Sequence, residues 1–187
     1  MAASDRRGRP ACRRARTGLA PAGGRIGAAL RSAVKNLSLQ DRYARRNRCF
    51  GCGPANEKGL RIKSFVEGDA VVCDWLPEPH HLAFDGVLSG GICGAVLDCH
   101  GAWAAAHHLM QKANAKAPPF TVTADFHVRL KRPTPMDAPL RLTARVVESF
   151  EDRAVVEATL EAAGQITATC RGTFVAVREG HPAFHPW

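Results

Sequence analysis

One carboxylate in this sequence lies where acidic side chains are seldom found. Asp98 belongs to the stretch ICGAVLDCHGAWAAAHHLMQ, which follows Gly90 and Gly91, contains no proline and predicts a helix. This helix is apolar on almost every side, a pattern typical of a buried helix. An unpaired carboxylate is destabilising in such surroundings and is often retained for function. Asp98 is therefore a candidate catalytic residue, the alternative being an ordinary buried polar residue with a hydrogen-bonding neighbour.

The start of this helix could bind an oxygen atom on which negative charge develops. Backbone amides around Gly90, Gly91 and Ile92 would point outward at the positive end of the helix dipole, and glycine leaves room for a ligand beside the backbone. Asp98 follows Gly91 by seven residues, on the same helix face but roughly 10–11 Å away. One carbonyl group cannot reach both features on one chain. A site that uses both needs two chains, so the spacing predicts a homodimer or a homotetramer.

Cys49 and Cys52 form a CxxC pair, which raises the question of a zinc site. A structural zinc site needs four ligands, and no second CxxC or HxxxH pair follows. Other side chains could complete a site only if folding brought them together: Cys73, His80, His81 or His100. We interpret the CxxC pair as small, buried packing residues, and the sequence predicts no metal and no cofactor.

The rest of the chain predicts strands around this helix. Two short strands, at residues 60–65 and 70–76, precede it, and a loop rich in Pro and Gly spans residues 77–91. In residues 121–131 apolar and polar side chains alternate strictly, which predicts one buried and one polar face. Further strands are predicted at residues 140–150, 153–162 and 165–177. The small residues of the helix would let a sheet approach closely, so the pattern predicts an α+β fold with a curved antiparallel sheet wrapped around one long central helix.

The charge of the chain is divided unevenly along its 187 residues. The net charge is +9, but residues 1–48 carry 13 of the 26 Lys and Arg residues and only two acids, which leaves the remainder slightly acidic. Residues 1–48 therefore predict a basic, disordered tail, with an organellar transit peptide or a nucleic-acid-binding segment as alternatives. Nucleic-acid binding is not expected of the rest, and residues 181–187 predict a short C-terminal tail.

The expected compartment follows from what the sequence lacks. No run of eighteen apolar residues and no secretory signal is visible, and seven irregularly spaced cysteines do not form a disulfide framework. These features predict a cytoplasmic protein, or a mitochondrial matrix protein if residues 1–48 are a transit peptide.

Four stretches in this order resemble the PaaI-type hotdog-fold acyl-CoA thioesterases. They are CFGCGPANEKGLRI (residues 49–62), SGGICGAVLD (89–98), VTADFHVRLKRPTP (122–135) and TCRGTFVAV (169–177). The resemblance implies a hotdog domain over residues 49–180, and an active site formed across the interface of a dimer.

The resemblance also implies roles for individual residues. Asp98 would be catalytic, and Thr123 matches the threonine of the family's catalytic site, although a β-branched residue is also common in any strand. Arg129, Lys131 and Arg153 match positions that contact coenzyme A phosphates in relatives. The glycines Gly90 and Gly91 match the start of the helix. Ser89 is a departure, because the family has His at this position.

The expected function is hydrolysis of an acyl-CoA thioester, with Asp98 as nucleophile or as the base that activates water. Because Ser89 replaces the family's His, a non-catalytic acyl-CoA-binding protein is the alternative. A hotdog hydratase is a third hypothesis, which would need an acid and a histidine before the helix. Asp85 with His80 or His81 is a poor match to such a pair.

Overall fold

The computed structural model describes residues 37–184, in which one long helix lies on a six-stranded antiparallel sheet. The helices are α1 (Leu39–Tyr43) and α2 (Gly90–Lys112), and a 3-10 turn spans Pro79–His81. The strands are β1 (Phe65–Glu67), β2 (Ala70–Trp75), β3 (Leu82–Phe84), β4 (Val87–Leu88), β5 (Thr121–Leu130), β6 (Leu140–Ser149), β7 (Arg153–Ala162) and β8 (Gln165–Ala176). The predicted α+β architecture is confirmed. Most of the predicted N-terminal tail and the end of the C-terminal tail, residues 1–36 and 185–187, lie outside the described residues.

The sheet has the strand order β1-β2-β6-β7-β8-β5, and β3 and β4 form a separate small hairpin. Strand β5 comes before β6 in the chain but pairs with β8, so it forms one edge of the large sheet. The predicted strands from residue 121 onward agree with the observed ones to within one residue at each end. Among residues 37–184, no helix is both long enough and apolar enough to cross a membrane.

Helix α2 packs on the sheet through side chains that are almost completely buried, including Val96, Leu97 and Trp103. The small residues allow this close approach. A Cβ atom on Gly101 would lie only 2.8 Å from the ring of Phe174 in β8. The prediction of a buried helix against a closely approaching sheet is therefore confirmed.

The predicted strand at residues 60–65 is wrong over most of its length, because β1 begins only at its last residue. Arg61 has a φ of 51°, which interrupts an extended backbone. The amides of Leu60 and Ile62 instead donate hydrogen bonds of 2.7 and 3.1 Å to the carbonyls of Phe50 and Gly51. Leu60 and Ile62 are buried as expected. The apolar pattern therefore predicted the burial of these side chains correctly, but not the segment to which their backbone amides bond.

Strand β5 departs from strict alternation because it contains a bulge. Thr123 and Asp125 lie opposite neighbouring residues of β8, which leaves Ala124 as the extra residue. Thr123 therefore faces α2 together with Phe126 and the later apolar residues. That apolar face is not buried as predicted: Phe126 is 38% exposed and Leu130 57% exposed. Opposite this face the helix carries small residues, such as Gly94 and Ala95, and an open groove lies between them and β5.

The packed part of the chain includes residues before Cys49, where the domain was predicted to begin. Leu39 and Ala44 of the α1 region belong to the hydrophobic core. The buried Gln40 side chain donates to Ser64 Oγ at 3.0 Å and accepts from the Ser64 amide at 2.8 Å. The basic segment is thus part of the domain at least from α1 onward.

Candidate active site

Asp98 and Thr123, which the sequence suggested for different reasons, are in contact. Helix α2 presents Asp98 from its third turn, the β5 bulge directs Thr123 toward it, and Thr123 Oγ1 donates a 2.7 Å hydrogen bond to Asp98 Oδ1. Burial raises the pKa of the Asp98 carboxyl above its ordinary value. The hydrogen bond from Thr123 opposes this rise and the charge of Cys49 adds to it. A half-buried carboxyl with a raised pKa, held by one donor, is suited to accept a proton or to attack a carbonyl carbon.

A cavity and a groove adjoin the Asp98–Thr123 pair, since both residues line each of them. The first is a cavity of about 270 Å³. Its apolar lining comes from α2 and the beginning of β5: Ala102, Trp103, Ala106, Phe120 and Val122. The second is an open groove of about 470 Å³ between the first turns of α2 and the inner face of β5. A ligand could therefore extend from Asp98 in two directions, into the cavity and along the groove.

The start of α2 opens into the groove. Gly90 and Gly91 line it, and Gly91 is exposed. Ser89 is the residue before the helix, and its side chain makes no capping hydrogen bond. Its backbone is held at both ends, because the amide donates to the His81 carbonyl at 3.0 Å and the carbonyl accepts from the Cys93 amide at 3.0 Å. The backbone at the helix start is therefore fixed, and the Ser89 side chain does not cap it.

The three cations predicted to contact coenzyme A do not form one cluster on a single chain. Arg129 lies opposite Thr169 of β8, whereas Arg153 lies opposite Val175. These two β8 positions are six residues apart, which is about 20 Å along a strand. Lys131 follows the end of β5, where its amide donates to a β8 carbonyl at 2.8 Å.

Strict alternation along residues 121–131 predicts that Thr123 shares the polar face with Arg129 and Lys131, and this prediction is wrong. The bulge at Ala124 reverses the alternation, so Thr123 faces α2 while Arg129 faces away from it, beside His127 at 3.5 Å. Lys131 lies beyond the strand. Periodicity alone could not reveal this, because a single extra residue exchanges the two faces of a strand.

The side chains considered for a hydratase have other partners. His81 Nδ1 accepts a 2.9 Å hydrogen bond from the Glu78 amide, and its ring lies against Trp75 with 5.3 Å between the ring centroids. His80 Nδ1 is 3.6 Å from the Glu78 carboxylate. Asp85 is exposed in the turn between β3 and β4. This arrangement gives no support to an acid–histidine pair.

His100, which the sequence left open as a possible zinc ligand, has a structural role. Its ring is fully buried, with Nδ1 2.9 Å from Ser64 Oγ and Nε2 2.9 Å from the Val71 carbonyl. Burial lowers the pKa of His100 to about 4, against a smaller opposing effect of the Val71 carbonyl. A neutral imidazole here ties α2 to β2 and to the segment before β1.

A group of thiols next to Asp98 is the feature that the sequence interpretation missed. The sulfur atoms of Cys49, Cys52 and Cys99 all lie within 4.8 Å of one another, and Cys49 and Cys99 are 3.6 Å apart. Hydrogen bonds from the other two thiols lower the pKa of Cys49, and the same contact with Cys49 raises the pKa of Cys99. The CxxC pair was visible in the sequence, but the third cysteine of the group, Cys99, follows Cys52 by 47 residues. Only the packing of the turn against α2 brings it there.

Comparisons with known proteins found relatives only among solved structures. No protein-family model matches the chain, and no curated protein sequence matches it. A thioesterase superfamily protein from Shewanella loihica PV-4 is 28% identical, with a TM-score of 0.54 over 67% of this chain and 98% of that one.

Two more distant structures have the same architecture. A phenylacetic acid degradation-related protein from Ralstonia eutropha JMP134 is 21% identical, with a TM-score of 0.55 over 67% of this chain and 92% of that one. Zebrafish thioesterase superfamily member 2 is 20% identical, with a TM-score of 0.53 over 66% of this chain and 90% of that one. At these identities the likeness concerns the fold alone, and it confirms the predicted arrangement of helix and sheet.

Proposed function

We propose that this chain, a hotdog-fold protein of the PaaI-type thioesterase family, hydrolyses acyl-CoA thioesters to a free acid and coenzyme A. The observation that carries the proposal is the 2.7 Å hydrogen bond between Thr123 and Asp98 at the junction of an apolar cavity and an open groove. Hydrolysis needs a nucleophile beside the thioester carbonyl and donors for the oxygen that becomes negative. The described residues offer candidates for each.

In this proposal the acyl group occupies the apolar cavity beside Trp103 and Phe120, which puts the thioester carbonyl next to Asp98. The carboxylate takes a proton from a water molecule whose oxygen attacks the carbonyl carbon, or it attacks that carbon itself. Thr123 orients the carboxylate. The C–S bond then breaks, and the sulfur leaves as coenzyme A after taking up a proton. Where Asp98 itself attacks, water then hydrolyses the Asp98–acyl anhydride, which releases the free acid and restores the carboxylate.

The amides that stabilise the negative oxygen would come from the start of α2, around Gly90 and Gly91, in the second subunit of a dimer. Asp98 and Gly91 of one helix are roughly 10–11 Å apart. This is too far for Asp98 to reach the carbon of a carbonyl group while the amide of Gly91 binds its oxygen. Within residues 37–184 one edge of β5 is unpaired. This edge and the exposed apolar residues Phe126 and Leu130 favour a second copy on this face, because pairing would cover both. The coenzyme A phosphates would then meet Arg129, Lys131 or Arg153 from either subunit.

The experiment that tests this function measures coenzyme A release from a panel of acyl-CoA substrates. Asp98→Asn keeps the shape of the side chain and removes its charge, so turnover should fall by at least ~10²-fold, the lower end of what general acid–base catalysis contributes. Asp125→Asn is the matched control, since it removes an exposed carboxylate from the other face of β5, and it should leave turnover unchanged. Equal turnover of wild type and Asp98→Asn would remove Asp98 from the mechanism.

Ser89 provides the observation that favours a second function, a non-catalytic acyl-CoA-binding protein. Where the family has an imidazole, this chain has a hydroxyl that makes no capping hydrogen bond, and a hydroxyl does not titrate near neutral pH. Ser89→Ala should therefore change turnover little, and Ser89→His is the variant expected to raise it. Acyl-CoA binding without turnover in every variant would support the binding protein instead. The expected compartment is still the cytoplasm, or the mitochondrial matrix if residues 1–48 direct the chain there.

A further inference from the structure

Three cysteine sulfur atoms from two distant segments meet at the wall of the apolar cavity. Cys49 and Cys52 come from the turn before β1, and Cys99 comes from α2. All three sulfurs lie within 4.8 Å of one another, and the Cys49 and Cys99 sulfurs are 3.6 Å apart. All six cysteines of residues 37–184 are free thiols. These three are thus close enough to bind one ion together without movement of the backbone.

The backbone of the turn is shaped for this approach. Gly51 lies directly over the Cys99 sulfur, and a Cβ atom at this position would overlap it. The amide of Cys49 donates a 2.8 Å hydrogen bond to the Asn47 side chain, which fixes the start of the turn. Only a residue without a side chain lets the CxxC turn reach the helix here.

Hydrogen-bond donors already surround the sulfurs. Trp103 Nε1 donates to Cys52 Sγ at 3.3 Å, and the backbone amides of Gly51 and Cys52 donate to the Cys49 sulfur. N–H donors of this kind stabilise negative charge on sulfur, and partners that orient ligands in this way are a regular part of metal sites.

We propose that Cys49, Cys52 and Cys99 bind one zinc ion through three thiolates, with the fourth coordination position open to the cavity beside Asp98. Zinc prefers thiolate ligands in a tetrahedron, and its Zn–S distance of 2.3 Å corresponds to sulfur atoms about 3.8 Å apart. The observed 3.6 Å between Cys49 and Cys99 is close to this separation. Binding forms three Zn–S bonds and releases the thiol protons to solvent.

An open fourth position distinguishes this site from a closed structural one, in which four protein ligands surround the metal. Two of the three cysteines are only partly buried, and all three line the same cavity as Asp98. A water molecule or a soft ligand atom could therefore complete the tetrahedron from the cavity side. The proposed site does not depend on the hydrolase function, because neither Asp98 nor Thr123 is one of its ligands.

Cobalt substitution of the full chain tests the proposal directly. After metal removal under a reducing agent without thiols, Co²⁺ titration should give sulfur-to-cobalt charge-transfer absorption and intense visible bands typical of tetrahedral coordination, saturating at one ion per chain. Zn²⁺ should displace the cobalt and remove both signals. Cys99→Ala should lower zinc affinity by at least ~10²-fold, since loss of a ligand should cost no less than loss of an outer partner. Cys93→Ala, a buried thiol on the same helix, should bind as wild type does.

A second measurement needs no substitution and so does not depend on folding of the variants. Zinc should protect Cys49 and Cys99 of the wild-type protein from alkylation, read by peptide mass spectrometry. No charge-transfer band, or binding unchanged in Cys99→Ala, would overturn the site. So would a Cys49–Cys99 disulfide formed on mild peroxide treatment by chains that never take up metal, since that result would make the cluster a redox pair.

Discussion

The hydrogen bond between Thr123 and Asp98 allows the sharpest test of the site, because one atom can be removed at nearly constant shape. Thr123→Val replaces the hydroxyl that donates at 2.7 Å to Asp98 Oδ1 with a methyl group. A hydrogen bond to a charged group contributes about 1.5–3 kcal/mol. Thr123 is exposed and Asp98 only half-buried, so solvent should compensate part of this, and the lower value is appropriate.

About 1.5 kcal/mol lost from the transition state corresponds to a decrease of about tenfold in kcat/KM. Thr123→Ser keeps the donor and should restore most of the rate. Thr159→Val makes the same chemical change on the outer face of β7 and should leave the rate unaltered. The assay is steady-state release of coenzyme A, with thermal unfolding measured on each variant to separate loss of rate from loss of fold. A Val variant as active as wild type, or a Ser variant as slow as the Val variant, would show that the hydroxyl does not orient Asp98.

Three further outcomes follow from the packing. Gln40→Ala removes both hydrogen bonds to Ser64 and leaves a buried amide without its partner, so denaturant unfolding should show a loss of about 2–4 kcal/mol. Phe126→Glu should convert the proposed dimer to monomers in sedimentation experiments, whereas Phe65→Glu, equally exposed at 38% on the opposite edge strand, should not. A monomeric wild type would contradict the shared site. Gly101→Ala would place a methyl group 2.8 Å from a phenylalanine ring of β8, so it should lower stability by about 1–3 kcal/mol despite the better helix propensity of alanine. Unchanged unfolding of that variant would mean that the helix and sheet can move apart.

Local pattern was enough to predict the elements that carry the site. The run of apolar and small residues after Gly91 predicted α2, and strand-like segments separated by turn-like residues predicted β6, β7 and β8. These signals are strong because burial of one face imposes a period of 3.6 in a helix and of 2 in a strand. Asp98 could be singled out for the same reason, because it is a carboxylate within a run of apolar residues whose pattern predicts burial.

Contacts between distant residues could not be predicted in this way. Strict alternation in residues 121–131 placed Thr123 and Arg129 on one face, but the bulge at Ala124 separates them. Bulges depend on pairing with a second strand, and the pairing of β5 with β8 rather than with β6 is a property of the whole sheet. The same holds for the segment at residues 60–64, whose backbone bonds to the CxxC turn.

The amino-acid sequence by itself determined the central helix, the order of the strands along the chain and the candidate carboxylate, because each depends on neighbours only a few residues away. Tertiary structure alone decided which groups touch Asp98. It brought Thr123 to the carboxylate through a bulge, and it brought Cys99 to the CxxC pair by packing a glycine turn against the helix. The physical reason is that side-chain periodicity records which face is buried, whereas contact between two buried faces is settled only when helix and sheet pack together.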